Sequence, residues 1–217
     1  MAKSIDTGSA IRNHAADTLF AQNEFCVQCD RALSSYNVAH RVVSSVLYEL
    51  PFGKGKRFAG GGRVGDVVLG GWQVGSILTL QSGFPLTVMA GSNQSNTGHQ
   101  ADRVNATGQP SDLPRGRQDP ERFFNTGAYA LQPFGSFGSA GRNTVIGPGV
   151  INWDFSATKG FKAGEHRSLE FRLEGFNGPN HPNWGLPKTL FTNVDFGKVR
   201  STQTDMRELQ MALKFIF

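Results

Sequence analysis

The sequence predicts an all-β chain: a segment of an antiparallel transmembrane β-barrel, built as an open curved sheet of about five or six long strands with long extracellular loops. Three observations carry that expectation. The final stretch, Met206 to Phe217, puts Leu209, Met211, Leu213, Phe215 and Phe217 at every second position, with Glu208, Gln210, Ala212 and Lys214 between them. That is a strand with one oily and one wet face, and it stops on an aromatic residue. Spans with the same alternation recur upstream. The composition agrees: only 38% of the 217 residues are apolar, 27 are Gly and mean hydropathy is −0.31, as suits strands that turn half their side chains to water.

In chain order, residues 1–39 are polar and are expected to be an extracellular loop remnant of a preceding strand, and 40–217 to be barrel strands and loops, with no plug domain. The first span runs from Arg41 to Leu50, with Val42, Val46, Tyr48 and Leu50 on the apolar side and Arg41, Ser45 and Glu49 opposite. Next, Trp72, Val74, Ser76, Leu78 and Leu80 alternate with Gln73, Gly75, Ile77, Thr79 and Gln81, and the strand is expected to continue through a kink at Ser82-Gly83-Phe84-Pro85 into Leu86-Thr87-Val88. Trp153, Phe155, Ala157 and Phe161 then alternate with Asp154, Ser156 and Thr158. The short connection Lys162-Ala163-Gly164-Glu165 predicts a hairpin into Ser168 to Phe176, where Leu169, Phe171 and Leu173 face away from Glu170, Arg172 and Glu174.

Three charges turned to lipid would cost several kcal/mol, so that side must face a water-filled lumen. The lumen-facing polar set is accordingly Arg41, Glu49, Asp154, Glu170, Arg172, Glu174 and Lys214, joined by Glu208, with opposite charges pairing across neighbouring strands. Tyr48, Trp72, Phe161 and Phe217 are expected near one lipid-water boundary and Trp153 near the other. Strand directions then put the 162–165 turn on the periplasmic side and the long segments 1–39, 91–150 and 183–205 outside. The 51–70 connection is long for a periplasmic turn. A six-strand version, broken at Gly83, puts it outside instead.

Other classes are poorly served. No run of about eighteen apolar residues could form a transmembrane helix. The net charge of +5 is dispersed apart from Lys54, Lys56 and Arg57, with no aromatic-basic stripe, so nucleic acid is not an expected partner. Cys26-Val-Gln-Cys29 is half of a zinc site without its second half, which predicts no metal and leaves a local disulfide or a plain loop pair. His14, His40, His99, His166 and His181 are scattered, without a hydrolase or metalloprotease motif, and Gly60-Gly61-Gly62-Arg63 lacks the Lys-Ser/Thr of a phosphate loop. No catalytic residue and no cofactor is therefore expected. Asn105-Ala106-Thr107 matches a glycosylation sequon for which a bacterial loop has no general use. The opening MAKSIDTGSAIRN has no apolar core of signal-peptide length, which reads as the tail of a longer exported polypeptide.

An ordered series of short motifs spans nearly the whole chain: Lys3-Ser4-Ile5-Asp6, Leu33-Ser34-Ser35-Tyr36, Glu49-Leu50-Pro51-Phe52-Gly53-Lys54-Gly55-Lys56, Leu69-Gly70-Gly71-Trp72-Gln73, Gln81-Ser82-Gly83-Phe84-Pro85, Ser139-Ala140-Gly141-Arg142-Asn143, Asn152-Trp153-Asp154, Glu174-Gly175-Phe176-Asn177, Asn180-His181-Pro182-Asn183-Trp184, and the last strand. The series resembles the carboxy-terminal barrel of TonB-dependent receptors of the Oar-like group, although Gly178-Pro179 stands where that group carries a bulky apolar residue. The resemblance implies a bacterial outer-membrane receptor with a carboxypeptidase-regulatory-like domain, a plug and a barrel of about twenty-two strands. This chain would supply part of the pore wall for energised solute uptake. Its partners would be outer-membrane lipid, the rest of the barrel and plug, the barrel-assembly machinery reading Leu209 to Phe217, and TonB only through a plug absent here. A soluble β-rich surface or adhesion module is the alternative.

Overall fold

The computed structural model describes residues 3–8, 21–53, 55–58, 63–98, 102–114, 116–162 and 167–217. Most of the expected 162–165 turn, Gly60 to Gly62, Lys54, His14, His99 and His166 lie outside the described residues. In chain order the elements are β1 (Ile5–Asp6), a 3-10 segment (Glu24–Asp30), β2 (Ala32–Leu33), β3 (Arg41–Glu49), α1 (Arg63–Leu69), β4 (Trp72–Gln81), β5 (Pro85–Leu86), β6 (Asn105–Ala106), a 3-10 turn (Thr126–Ala128), β7 (Tyr129–Ala130), β8 (Val145–Ile146), β9 (Val150–Lys162), β10 (Ser168–Phe176) and β11 (Glu208–Ile216). Among the described residues no helix is long and apolar enough to cross a membrane.

Two compact units result, one of Met1–Arg41, Gln81–Val150 and Asn183–Gln203, the other of Val42–Leu80, Ile151–Pro182 and Thr204–Phe217. The second unit is the sheet. Its strands lie in the order β11-β10-β9-β4-β3, so the five period-two spans of the sequence are the five strands, and β3 and β11 are its edges. β10 runs antiparallel to both neighbours, with Phe171 opposite Leu213 on one side and Lys159 on the other. Leu50 N donates to Trp72 O at 2.8 Å, closing the corner between β3 and β4. The sheet does not close into a barrel.

One expectation needs correction. The strand through Trp72 does not continue to Val88: β4 ends at Gln81, and Pro85–Leu86 pairs with β8 instead. Gly83 turns the chain out there, because it passes so close to Gly147 that a Cβ would lie 1.7 Å from Gly147 O, while Gly147 N donates to Phe84 O at 2.8 Å. The long 51–70 connection carries α1 and a small closure in which Phe58 N donates to Pro51 O and the Phe52 and Phe58 rings lie 5.7 Å apart.

The first unit comprises segments that the period-two rule reads only as loops, yet it holds a water-excluding core. Leu86, Val88, Ala90, Val104, Phe123, Phe124, Ala128, Tyr129, Ala140, Val145 and Val199 pack together, flanked by Trp184, Leu186, Phe191 and Phe196. Phe124 meets Phe196 and Tyr129 edge to face at 5.3 and 6.0 Å, the arrangement that aromatic quadrupoles favour. Two-residue pairings of β1 with β2, β5 with β8 and β6 with β7 supply the backbone order.

Candidate functional site

Alternation along β9, β10 and β11, locked by their register, sorts side chains onto two faces. On one, Leu169 lies between Phe215 and Phe161, Phe171 between Leu213 and Lys159, and Leu173 between Met211 and Ala157. Leu209, Met211, Leu213 and Phe215 are all exposed, Leu213 by 68%, and Phe217 stacks on Phe215 at 5.8 Å. Phe155 lies on this face with its ring close against Gly175 and Gly178, where a Cβ would come within 2.4 and 2.8 Å of ring atoms. Phe155 thus leaves no room for a Cβ at Gly178.

On the other face, Glu170 is opposite Lys214, Arg172 opposite Ala212 and Thr158, and Glu174 opposite Gln210 and Ser156. The ion pairs here run along the strand. Arg172 reaches Glu170 at 2.9 Å and Glu174 at 3.9 Å, because its cross-strand neighbours carry no charge. Glu49 pairs with Lys56 at 2.8 Å. Asp154 accepts from Asn152 Nδ2 at 2.9 Å and from the backbone N of Asn177 at 2.9 Å, tying β9 to the corner after β10. Arg41 is exposed at the start of β3. This face is not uniformly wet: Leu47, Ile77 and Phe176 line a groove of about 290 Å³ with Ser156 and Glu174.

Trp72 packs edge-on against Phe171 at 6.4 Å, and Lys159 Nζ lies 5.0 Å from the Trp72 ring and 5.0 Å from the Phe161 ring. Tyr48 is exposed at the same end of the sheet, and Trp153, at the opposite end, donates from Nε1 to Ser76 Oγ at 2.8 Å.

The family model of an outer membrane beta barrel domain matches residues 1–210. The chain belongs to that family. As an outer-membrane β-barrel domain it resides in the bacterial outer membrane, and an exposed apolar face on a sheet of long antiparallel strands is what that location requires. No curated protein and no solved structure matches the chain.

The domain's first unit contains a buried polar hub that strand periodicity does not reveal. Arg103 forms an ion pair with Asp30, both side chains nearly inaccessible, and donates from Nε to Ala140 O at 2.8 Å. Gln22 accepts from Arg103 N at 2.6 Å and donates to Gly138 O at 3.0 Å. Arg142 pairs with Asp6 and donates to Asp30 O at 3.0 Å. Asn143 donates to Leu33 O at 2.6 Å and Ser35 Oγ at 3.1 Å, and accepts from Thr87 Oγ1 at 2.8 Å. Three of the ordered motifs, at 3–6, 33–36 and 139–143, thus meet in one network. Their order in the sequence was the available signal; their contact was not.

Cys26 and Cys29 form a disulfide in the 3-10 segment leading to Asp30. His181 belongs to a capped loop, its backbone N donating to Asn177 Oδ1 at 2.9 Å while Asn177 Nδ2 donates to His181 O at 3.0 Å. On the surface, Arg200 bridges Asp195 at 2.9 Å and Glu121, and its hydrogen bonds hold both carboxyls below their ordinary values.

Proposed function

We propose that the chain is part of the barrel wall of a TonB-dependent outer-membrane receptor, with Leu209, Met211, Leu213, Phe215 and Phe217 meeting lipid and Arg41, Glu49, Asp154, Glu170, Arg172, Glu174 and Lys214 facing the lumen. In this reading it contributes a wall for energised solute uptake and no catalytic centre. The observation that carries it is the two-faced sheet with two open edges, β3 and β11: unpaired strand edges are not tolerated in lipid, so the wall calls for further strands. The ordered motifs point to an Oar-like receptor as the source of those strands and of the plug through which TonB would act. Strand β11 with its alternating apolar residues is the element offered to the barrel-assembly machinery, with Tyr48, Trp72, Trp153 and Phe161 as boundary aromatics.

Photo-crosslinkers at Val42 in β3 and Gln210 in β11, activated in the outer membrane of the source cells, test this reading. Capture of further amphipathic strands and a plug, together with extraction that needs detergent, is the expected result. Release into buffer without detergent, with no strand partner captured, would favour the soluble adhesion module.

A further inference from the structure

Lys159 breaks the alternation of β9. It lies on the apolar face, opposite Phe171 and beside Trp72, yet it is only 3% exposed. Its Nζ donates to Val68 O at 2.7 Å and Gly70 O at 2.8 Å, and Trp72 Nε1 donates to the same Val68 carbonyl at 3.0 Å. These are the carbonyls left over at the end of α1, where the helix stops at Leu69 and Gly71 turns with φ +73°. A cation at a helix C-terminus meets the negative end of the dipole, and here two aromatic rings flank it as well. The ammonium is thereby satisfied within the protein and can sit on an oily face without reaching for water.

The consequence lies in what Lys159 holds. Val67, Val68 and Leu69 are 56, 57 and 51% exposed, on a helix end pinned to the apolar side of the sheet next to Trp72 and Phe161. Arg57, over the Phe58 ring at 5.6 Å, lies in the same connection. We infer that α1 is an interfacial anchor: its Val67-Val68-Leu69 end enters the phospholipid headgroup boundary as a continuation of the lipid-facing sheet, with Lys159 as the positioning residue that holds it there. This rests on the lipid-facing reading proposed above. Apolar residues backed by a basic one, at the level of the aromatic belt, are what such a boundary retains.

The test places a spin label on a single new cysteine, Val68→Cys, Leu213→Cys or Val194→Cys, in the protein assembled with the rest of its barrel in native outer-membrane vesicles. The native cysteines stay paired. Collision with oxygen is compared with collision with a water-soluble nickel chelate. The Val68 label should favour oxygen severalfold over the Val194 label, which marks the aqueous reference. Lys159→Met should move the Val68 label toward the chelate while the Leu213 label stays in lipid, and Lys159→Arg should restore it. Leu213 in lipid with Val68 as aqueous as Val194 would overturn the anchor and leave the sheet's orientation standing. An aqueous Leu213 would overturn both. An unchanged Val68 label in Lys159→Met would overturn the role given to Lys159.

Discussion

Phe124 and Phe215 are the same side chain in two different physical settings. Phe124, in the first unit, is 1% exposed and ringed by Tyr129 and Phe196, whereas Phe215, in the sheet, is 55% exposed and touches Phe217. The contrast holds generally: among the described residues, every buried apolar side chain belongs to the first unit. That unit organises its apolar residues as a water-soluble domain does, around a core with buried ion pairs. The sheet keeps its Leu, Met and Phe on the outside, which is stable only where the surroundings are themselves apolar. One chain thus carries two solutions to the same problem, a protein core in one unit and an exposed apolar face in the other.

The largest effects should separate the two. Phe124→Ala should cost about 3–5 kcal/mol by loss of contacts and cavity formation, whereas Phe215→Ala in detergent should cost less than about 1 kcal/mol. Urea unfolding followed by tryptophan fluorescence would read both. Charge pairs should divide in the same way. Asp30→Ala leaves Arg103 charged and buried and should cost about 3–5 kcal/mol, against less than about 1 kcal/mol for Arg172→Ala on the exposed ladder; equal shifts of the unfolding midpoint would erase the distinction. Within the sheet, Leu213→Arg should cost about 2–4 kcal/mol in a bilayer and Lys214→Arg almost nothing, seen as the yield of folded protein in the outer membrane.

The smallest effect concerns pH. Hydrogen bonds from Arg200 lower the carboxyls of Glu121 and Asp195 below their ordinary values of 4.5 and 3.8. The unfolded chain therefore takes up these protons first. Any stabilisation is complete above the ordinary values and fades as pH falls through the lower folded ones. Both acids are exposed, so added salt should weaken the effect, and carboxyl titration by NMR with and without Arg200→Gln would follow it.

The sheet was legible because one apolar and one polar face impose a period of two that survives in the sequence: β3, β4, β9, β10 and β11 all fall where alternation places them. The first unit was not, because Leu86, Val104, Phe124 and Val199 come from separate irregular segments with no common period, and their meeting depends on contacts distant in sequence. The motif Ser139-Ala140-Gly141-Arg142-Asn143 could be singled out but not assigned its partners, Asp6, Asp30 and Leu33. Lys159 is invisible to alternation for a related reason. Alternation has no place for a cation on the apolar face, and only the fold supplies the carbonyls of Val68 and Gly70 that accept it.

The central claim, that one face of the sheet meets lipid and the other water, is tested most directly by single cysteines placed in turn from Leu209 to Phe215 and probed in outer-membrane vesicles with a membrane-impermeant maleimide. Reactivity should alternate, high at Gln210, Ala212 and Lys214 and low at Leu209, Met211, Leu213 and Phe215. Uniform labelling along β11 would contradict the account.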